Sequence, residues 1–135
     1  MDYFAQLDAA EIAVDTFARI DEGEYKAVIE ECKAVEANGK MKLTAKMRIT
    51  SELFTNRIVF WNTTMSKDTT PANMSIIKRS ICTMAGVGST NGDPMATFKS
   101  SEGNTLEIKI AYKPNKQKPG SEFMQVYPQK VIIPF

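Results

Sequence analysis

Lys40-Met41-Lys42-Leu43-Thr44-Ala45-Lys46-Met47-Arg48-Ile49-Thr50 alternates without a miss: polar residues on even numbers, apolar residues on odd ones. A period of two marks a strand with one face in a core and one in water, and no helical period gathers those five apolar residues on one side. The polar face carries Lys40, Lys42, Lys46 and Arg48 with two threonines and no anion. Side chains on one strand face stand roughly 7 Å apart, close to the phosphate spacing of an extended nucleic-acid strand. A solvated strand that uses lysine for solubility has the same pattern, so the rest of the chain must separate the two readings.

Working outward, Asn38-Gly39 just before this segment is a strong hairpin signal. The preceding stretch, Glu24 to Val35, is β-prone but changes parity: Tyr25, Ala27 and Ile29 are odd, whereas Val28, Cys32 and Ala34 are even. That change predicts a strand that bends or carries a bulge. A third strand is expected over residues 55–63, with Ile58 and Phe60 on one side and Arg57, Val59 and Trp61 on the other. Thr70-Pro71 then supplies an N-cap and a first-turn proline for a helix buried through Met74, Ile77, Ile81 and Met84 and ended by Gly86 and Gly88. Two strands close the chain, 104–113 and 123–133, the latter interrupted by Pro128. Leu106, Ile108, Ile110 and Tyr112 face the core of the first.

The expected fold is therefore all-β with one helix, in the order strand-strand-strand-helix-strand-strand. A five-stranded, partly open barrel of the OB type has that order and a curved first strand shared by both halves. Another small β-barrel or sandwich with an added helix is the alternative.

A chain of 135 residues fits one domain. The division expected is an acidic N-terminal extension over residues 1–20 and a binding domain over 21–135. In the extension Tyr3, Leu7, Ala10, Val14 and Phe17 repeat at helical spacing. The net charge of +1 conceals a split: residues 1–36 carry ten carboxylates against three cations, a balance of −7, and the remainder carries +8. Such asymmetry points to a polyanionic partner for one part of the chain. No apolar run has the length of a membrane span and the acidic start is unlike a signal peptide, so a cytoplasmic location is expected. Cys32 and Cys82 are expected to be reduced, although a disulfide between them stays open.

Catalytic signatures are missing. With no histidine, no Gly-x-Ser-x-Gly elbow and no phosphate-cradling glycine loop, a binding protein is expected rather than an enzyme, with no cofactor and no metal. Glu22, Glu24, Glu30 and Glu31 read as a hydrated acidic edge, because metal nucleases draw carboxylates from several elements. In an OB barrel, oligonucleotides lie on the face of strands two and three between the flanking loops. The candidate nucleic-acid-binding residues are accordingly Lys40, Lys42, Lys46 and Arg48 on strand two and Arg57 and Trp61 on strand three. Lys109 and Lys113 on strand four and Lys116 and Lys118 in the following loop join them. Phe123 and Tyr127 on the last strand either stack bases or line the barrel. Cations supply affinity independent of sequence and aromatic rings supply stacking platforms.

The run Gly23-Glu24-Tyr25-Lys26-Ala27-Val28-Ile29-Glu30-Glu31, the Asn-Gly turn, the basic alternating strand, the helix and the Lys113-Pro114 ending of strand four together resemble the OB-fold single-stranded DNA-binding proteins of bacteriophages. The resemblance spans residues 17–133 as a pattern of elements and short phrases. It implies sequence-independent coating of single strands in phage DNA replication or recombination, in the cytoplasm of the infected bacterium and without a cofactor. Phage or host replication proteins and further copies on the DNA are the implied partners. Bacterial single-strand binders usually end in an acidic tail tipped by Pro-Phe; here Ile133-Pro134-Phe135 follows Val131 and Ile132 with no acidic run. A protein-interaction module with a basic face for an acidic host surface, and single-stranded RNA binding, are the rival readings.

Overall fold

A computed structural model describes residues 3–9, 19–115 and 120–132. Five strands form one antiparallel sheet: β1 (Gly23–Ala37), β2 (Lys40–Ile49), β3 (Ile58–Met65), β4 (Thr105–Pro114) and β5 (Glu122–Ile132). Their order is β3-β2-β1-β4-β5, so β1 is shared by both halves, and the edge strands β3 and β5 approach each other without pairing. Among the described residues three helices accompany them: α1 (Tyr3–Ala9), α2 (Pro71–Ala85) and α3 (Pro94–Ser100). None is long and apolar enough to cross a membrane.

The parity change in β1 is a bulge. Ile29 pairs with Met47 and Glu31 with Lys46, which leaves Glu30 as the extra residue. Tyr25, Ala27 and Ile29 before it and Cys32 after it are all buried. One inserted residue switches the parity of everything beyond it, so a single strand keeps its apolar side inward through a bend. Residues 99–104 hold the bulge in place. Ile29 exchanges backbone bonds with Asn104 and Gly103 (2.9 and 2.7 Å), Cys32 donates its amide to Glu102 (2.8 Å), and Lys99 donates to the Cys32 carbonyl (2.5 Å).

The sheet packs Leu43, Ala45, Met47 and Ile49 of β2 against Val59 and Trp61 of β3, Leu106, Ile108 and Ile110 of β4, and Val126 of β5. Helix α2 starts as its sequence dictates, with the Thr70 side chain accepting from the Asn73 amide and Pro71 in the first turn. It ends at Gly86, whose φ of 72° suits a residue without a side chain. Ile77, Ile81 and Met84 are buried, but Met74, expected in the same stripe, is exposed.

Helix α3 is a correction to the single helix expected. It uses the same start signal as α2, since the Asp93 side chain accepts from the Ala96 amide and Pro94 opens the first turn. Phe98 then enters the core, 5.9 Å from Trp61 between ring centroids. Residues 19–21 are gripped from the sheet. Tyr112 donates its hydroxyl to the Ile20 carbonyl (2.6 Å) and Tyr25 to the Asp21 carbonyl (2.5 Å). Arg19 lies 3.6 Å over the Tyr112 ring and pairs with Glu122 at 3.2 Å. Of the expected N-terminal helical stripe, residues 3–9 are helical; Ala10, Val14 and Phe17 lie outside the described residues.

Candidate functional site

The solvent face of β1, β2 and β3 is a grid set by cross-strand register. Lys42 lies between Val35 and Thr64, Thr44 between Lys33 and Asn62, Lys46 between Glu31 and Phe60, and Arg48 between Val28 and Ile58. Thr44 donates to the Asn62 side-chain oxygen at 3.0 Å, which fixes the middle of the grid. Lys40 and Lys42 are exposed, and among the described residues no carboxylate pairs with either.

The other end of the row is different. Glu30 takes Arg48 Nε at 2.8 Å and Nη2 at 3.4 Å, and Lys46 Nζ lies 3.9 Å from the same carboxylate. Arg48 also donates to the Asn56 carbonyl at 3.3 Å. The hydrogen bond from Arg48 holds the Glu30 carboxyl below the ordinary carboxylate range, and Glu30 in turn raises Arg48. Half of the cationic row is therefore open and half carries an internal anion.

Trp61 is the main correction. It stands opposite Ala45 and is 7 % exposed, whereas Phe60 stands opposite Lys46 and is 46 % exposed. The alternation along β3 follows expectation, but the side assigned to the solvent is reversed: the aromatic ring on the cationic face is Phe60. Connection 49–57 between the paired residues Arg48 and Ile58 has an odd length, which brings like parities together across the hairpin. Phe54 and Asn56 in that connection take positive φ values of 59° and 68°. Phe54 packs edge-on against Tyr25, with centroids 6.0 Å apart. Arg57 precedes β3, half-buried, with its carbonyl accepting from the Ile49 amide.

On the other half of the sheet Lys109 pairs with Tyr127 and Lys113 with Phe123, all four on one side of the β4–β5 ladder. Lys113 Nζ lies 5.9 Å from the Tyr127 ring centroid, and Phe123 is half exposed. A cleft of about 460 Å³ lies between the edges of β3 and β5, lined by Phe60 and Asn62 of β3, Phe123 and Tyr127 of β5, and Ile76 of α2. The fold thus brings Phe123 and Tyr127 into one cleft with Phe60 at the edge of the β2 cations. Lys116 and Lys118 lie outside the described residues.

The match to known families covers this whole arrangement: residues 5–133 fit the family described as DUF669, protein of unknown function. The chain belongs to the DUF669 family. No curated protein matches it.

Two features of the DUF669 surface escaped sequence reasoning. The exposed Phe60 carried a usable signal, because β2 and β3 share a core only if the register sets Val59 or Ile58 against Met47, and loop length decides which. The Glu30 contact had only the parity change in β1 as its trace. Among the described residues no three or more carboxylate or thiol side chains converge on a cation position. Glu31 pairs with Lys33 (3.4 Å), and both cysteines are free, with burial and the Ser101 contact (3.2 Å) surrounding Cys32. Burial pushes the Cys32 thiol up, so it is an inert core group.

Proposed function

We propose that this DUF669 protein binds single-stranded DNA without regard to sequence, by phosphate neutralisation along β2 and base stacking on Phe60, Phe123 and Tyr127. The observation that carries the reading is the placement of Phe60 directly opposite Lys46, in the lining of a cleft that holds two more aromatic rings. Cations spaced along an extended strand neutralise successive phosphates, and rings beside them accept any base.

The strand order supports it: β1 central, β2 and β4 on its two sides and β3 and β5 at the edges is the order that a partly open OB barrel would have, and in such barrels the strand-two and strand-three face takes oligonucleotides. On this reading the protein is a binder and not an enzyme. Its resemblance to phage single-strand binders supports a role in phage replication or recombination within the host cytoplasm, alongside replication proteins.

Fluorescence anisotropy with labelled oligo-dT, oligo-rU and a duplex of the same length, across a range of salt concentrations, tests it. Saturable binding of oligo-dT, with weaker duplex binding and a steep salt dependence, is expected. Tighter binding of oligo-rU would move the ligand to RNA. No binding of oligo-dT at low salt would remove the reading and leave the basic face for an acidic protein surface.

A further inference from the structure

We propose that Lys46 and Arg48 form a phosphate subsite that the Glu30 carboxylate occupies in the free protein, so that nucleic acid binds there by displacing it. The inference rests on the single-strand reading of the same face. A phosphodiester and a carboxylate each present one negative charge over two oxygens, and the arginine fork accepts either in the same two-point geometry. Glu30 already uses that geometry, with one oxygen on Nε and the other shared between Nη2 and Lys46 Nζ. Exchange of one anion for another at this point needs no rearrangement of the cations.

The backbone explains why an acid stands there. In an unbroken strand Glu30 and Glu31 would point to opposite faces. The bulge turns both outward between buried Ile29 and Cys32, and the bonds from residues 99–104 lock it from behind. Glu31 is drawn to Lys33, whereas Glu30 reaches across to β2. The side chains of Glu30, Lys46 and Arg48 stay 31–41 % accessible, so a strand lying along β2 reaches the pair. Phe60 flanks Lys46 on its other side, which sets a stacking ring next to the subsite. Lys40 and Lys42 are open to the first phosphates, and the Lys46–Arg48 end engages only as Glu30 lets go.

The test compares Glu30→Gln with Glu31→Gln and the parent on oligo-dT across salt. One further phosphate engaged on a single strand steepens the slope of log K against log salt by about 0.7, and an interaction that vanishes at ~1 M salt is worth roughly eightfold at ~0.05 M. Glu30→Gln is expected to tighten binding by that amount at low salt and to converge with the parent at high salt. Glu31→Gln, which removes the same charge one residue away, is expected to leave the slope unchanged. In an Arg48→Gln background the gain from Glu30→Gln should largely disappear. Equal gains from the two glutamate variants would reduce the effect to net charge and overturn the proposal, as would a Glu30→Gln variant that is folded at the assay temperature and binds like the parent. Parent binding without a Glu30 effect overturns this inference alone; no oligo-dT binding by parent or variant removes it together with the single-strand reading.

Discussion

Lys46 and Phe60 face each other across β2 and β3 on the solvent side, while Trp61, one residue on, faces Ala45 in the core. Two adjacent aromatic residues therefore sit in opposite environments, and on the proposed reading their substitution should separate binding from stability.

Phe60→Ala is expected to cost on the order of 1–3 kcal/mol of oligo-dT binding, because a stacking platform is removed. Its effect on the urea midpoint should be small, since about half of the ring is already in water. Trp61→Ala, next to Phe98, should instead lose about 3–5 kcal/mol of stability. In the parent, Trp61 is the only tryptophan and reports its own burial: its emission should be blue-shifted and shielded from acrylamide until unfolding, while the stability of Trp61→Ala is read by circular dichroism. A destabilised Phe60 variant beside a stable Trp61 variant would reverse the assignment.

Lys40 and Lys42 carry no carboxylate partner among the described residues, so they should contribute to binding at full strength. Reversing both to Glu is expected to flatten the slope of log K against log salt by at least about 1.4, at ~0.7 for each phosphate no longer neutralised. Every oligonucleotide should weaken alike. A selective loss for one base composition would show base readout at this end of the strand.

Gly86 ends α2 with φ at 72°, and a β-carbon there would stand 2.8 Å from Val131 Cγ1 on β5. Gly86→Ala is expected to destabilise by more than about 1–2 kcal/mol, the cost of the left-handed backbone alone for a residue with a side chain. Adding Val131→Ala should not restore the parent midpoint, because the backbone cost persists. A thermal or urea melt of the pair checks both parts.

Glu30 has a folded-state pKa below its unfolded value because it accepts from Arg48, with Lys46 adding a further cation and Asn56 holding the arginine on its other side. The stability from this contact is present above the ordinary carboxylate range and disappears as pH falls through the lowered folded value. The difference in urea midpoint between the parent and Glu30→Gln should therefore be constant at neutral pH and vanish at acid pH. A difference that persists at low pH would show that the carboxylate charge is not its source.

The elements of this fold are written locally in the chain. Unbroken alternation in β2, the Asn38-Gly39 turn, the parity change in β1 and the Thr70-Pro71 start of α2 are each set by backbone geometry within a few residues. The start of α3 is written just as locally in Asp93-Pro94, but the flanking Gly92 makes it resemble a turn, and its one buried ring, Phe98, acquires meaning only beside Trp61. Which side of β3 meets water is settled only once the strands are assembled. Ile58 and Phe60 are as apolar as Val59 and Trp61, so local hydrophobicity balances and the register across connection 49–57 breaks the tie. The same holds for Glu30, which reads along the chain as part of an acidic edge. Only the bulge, fixed by residues distant in sequence, turns it toward Arg48 and puts an anion within the cationic row, because charge interactions depend on distance in space and not along the chain.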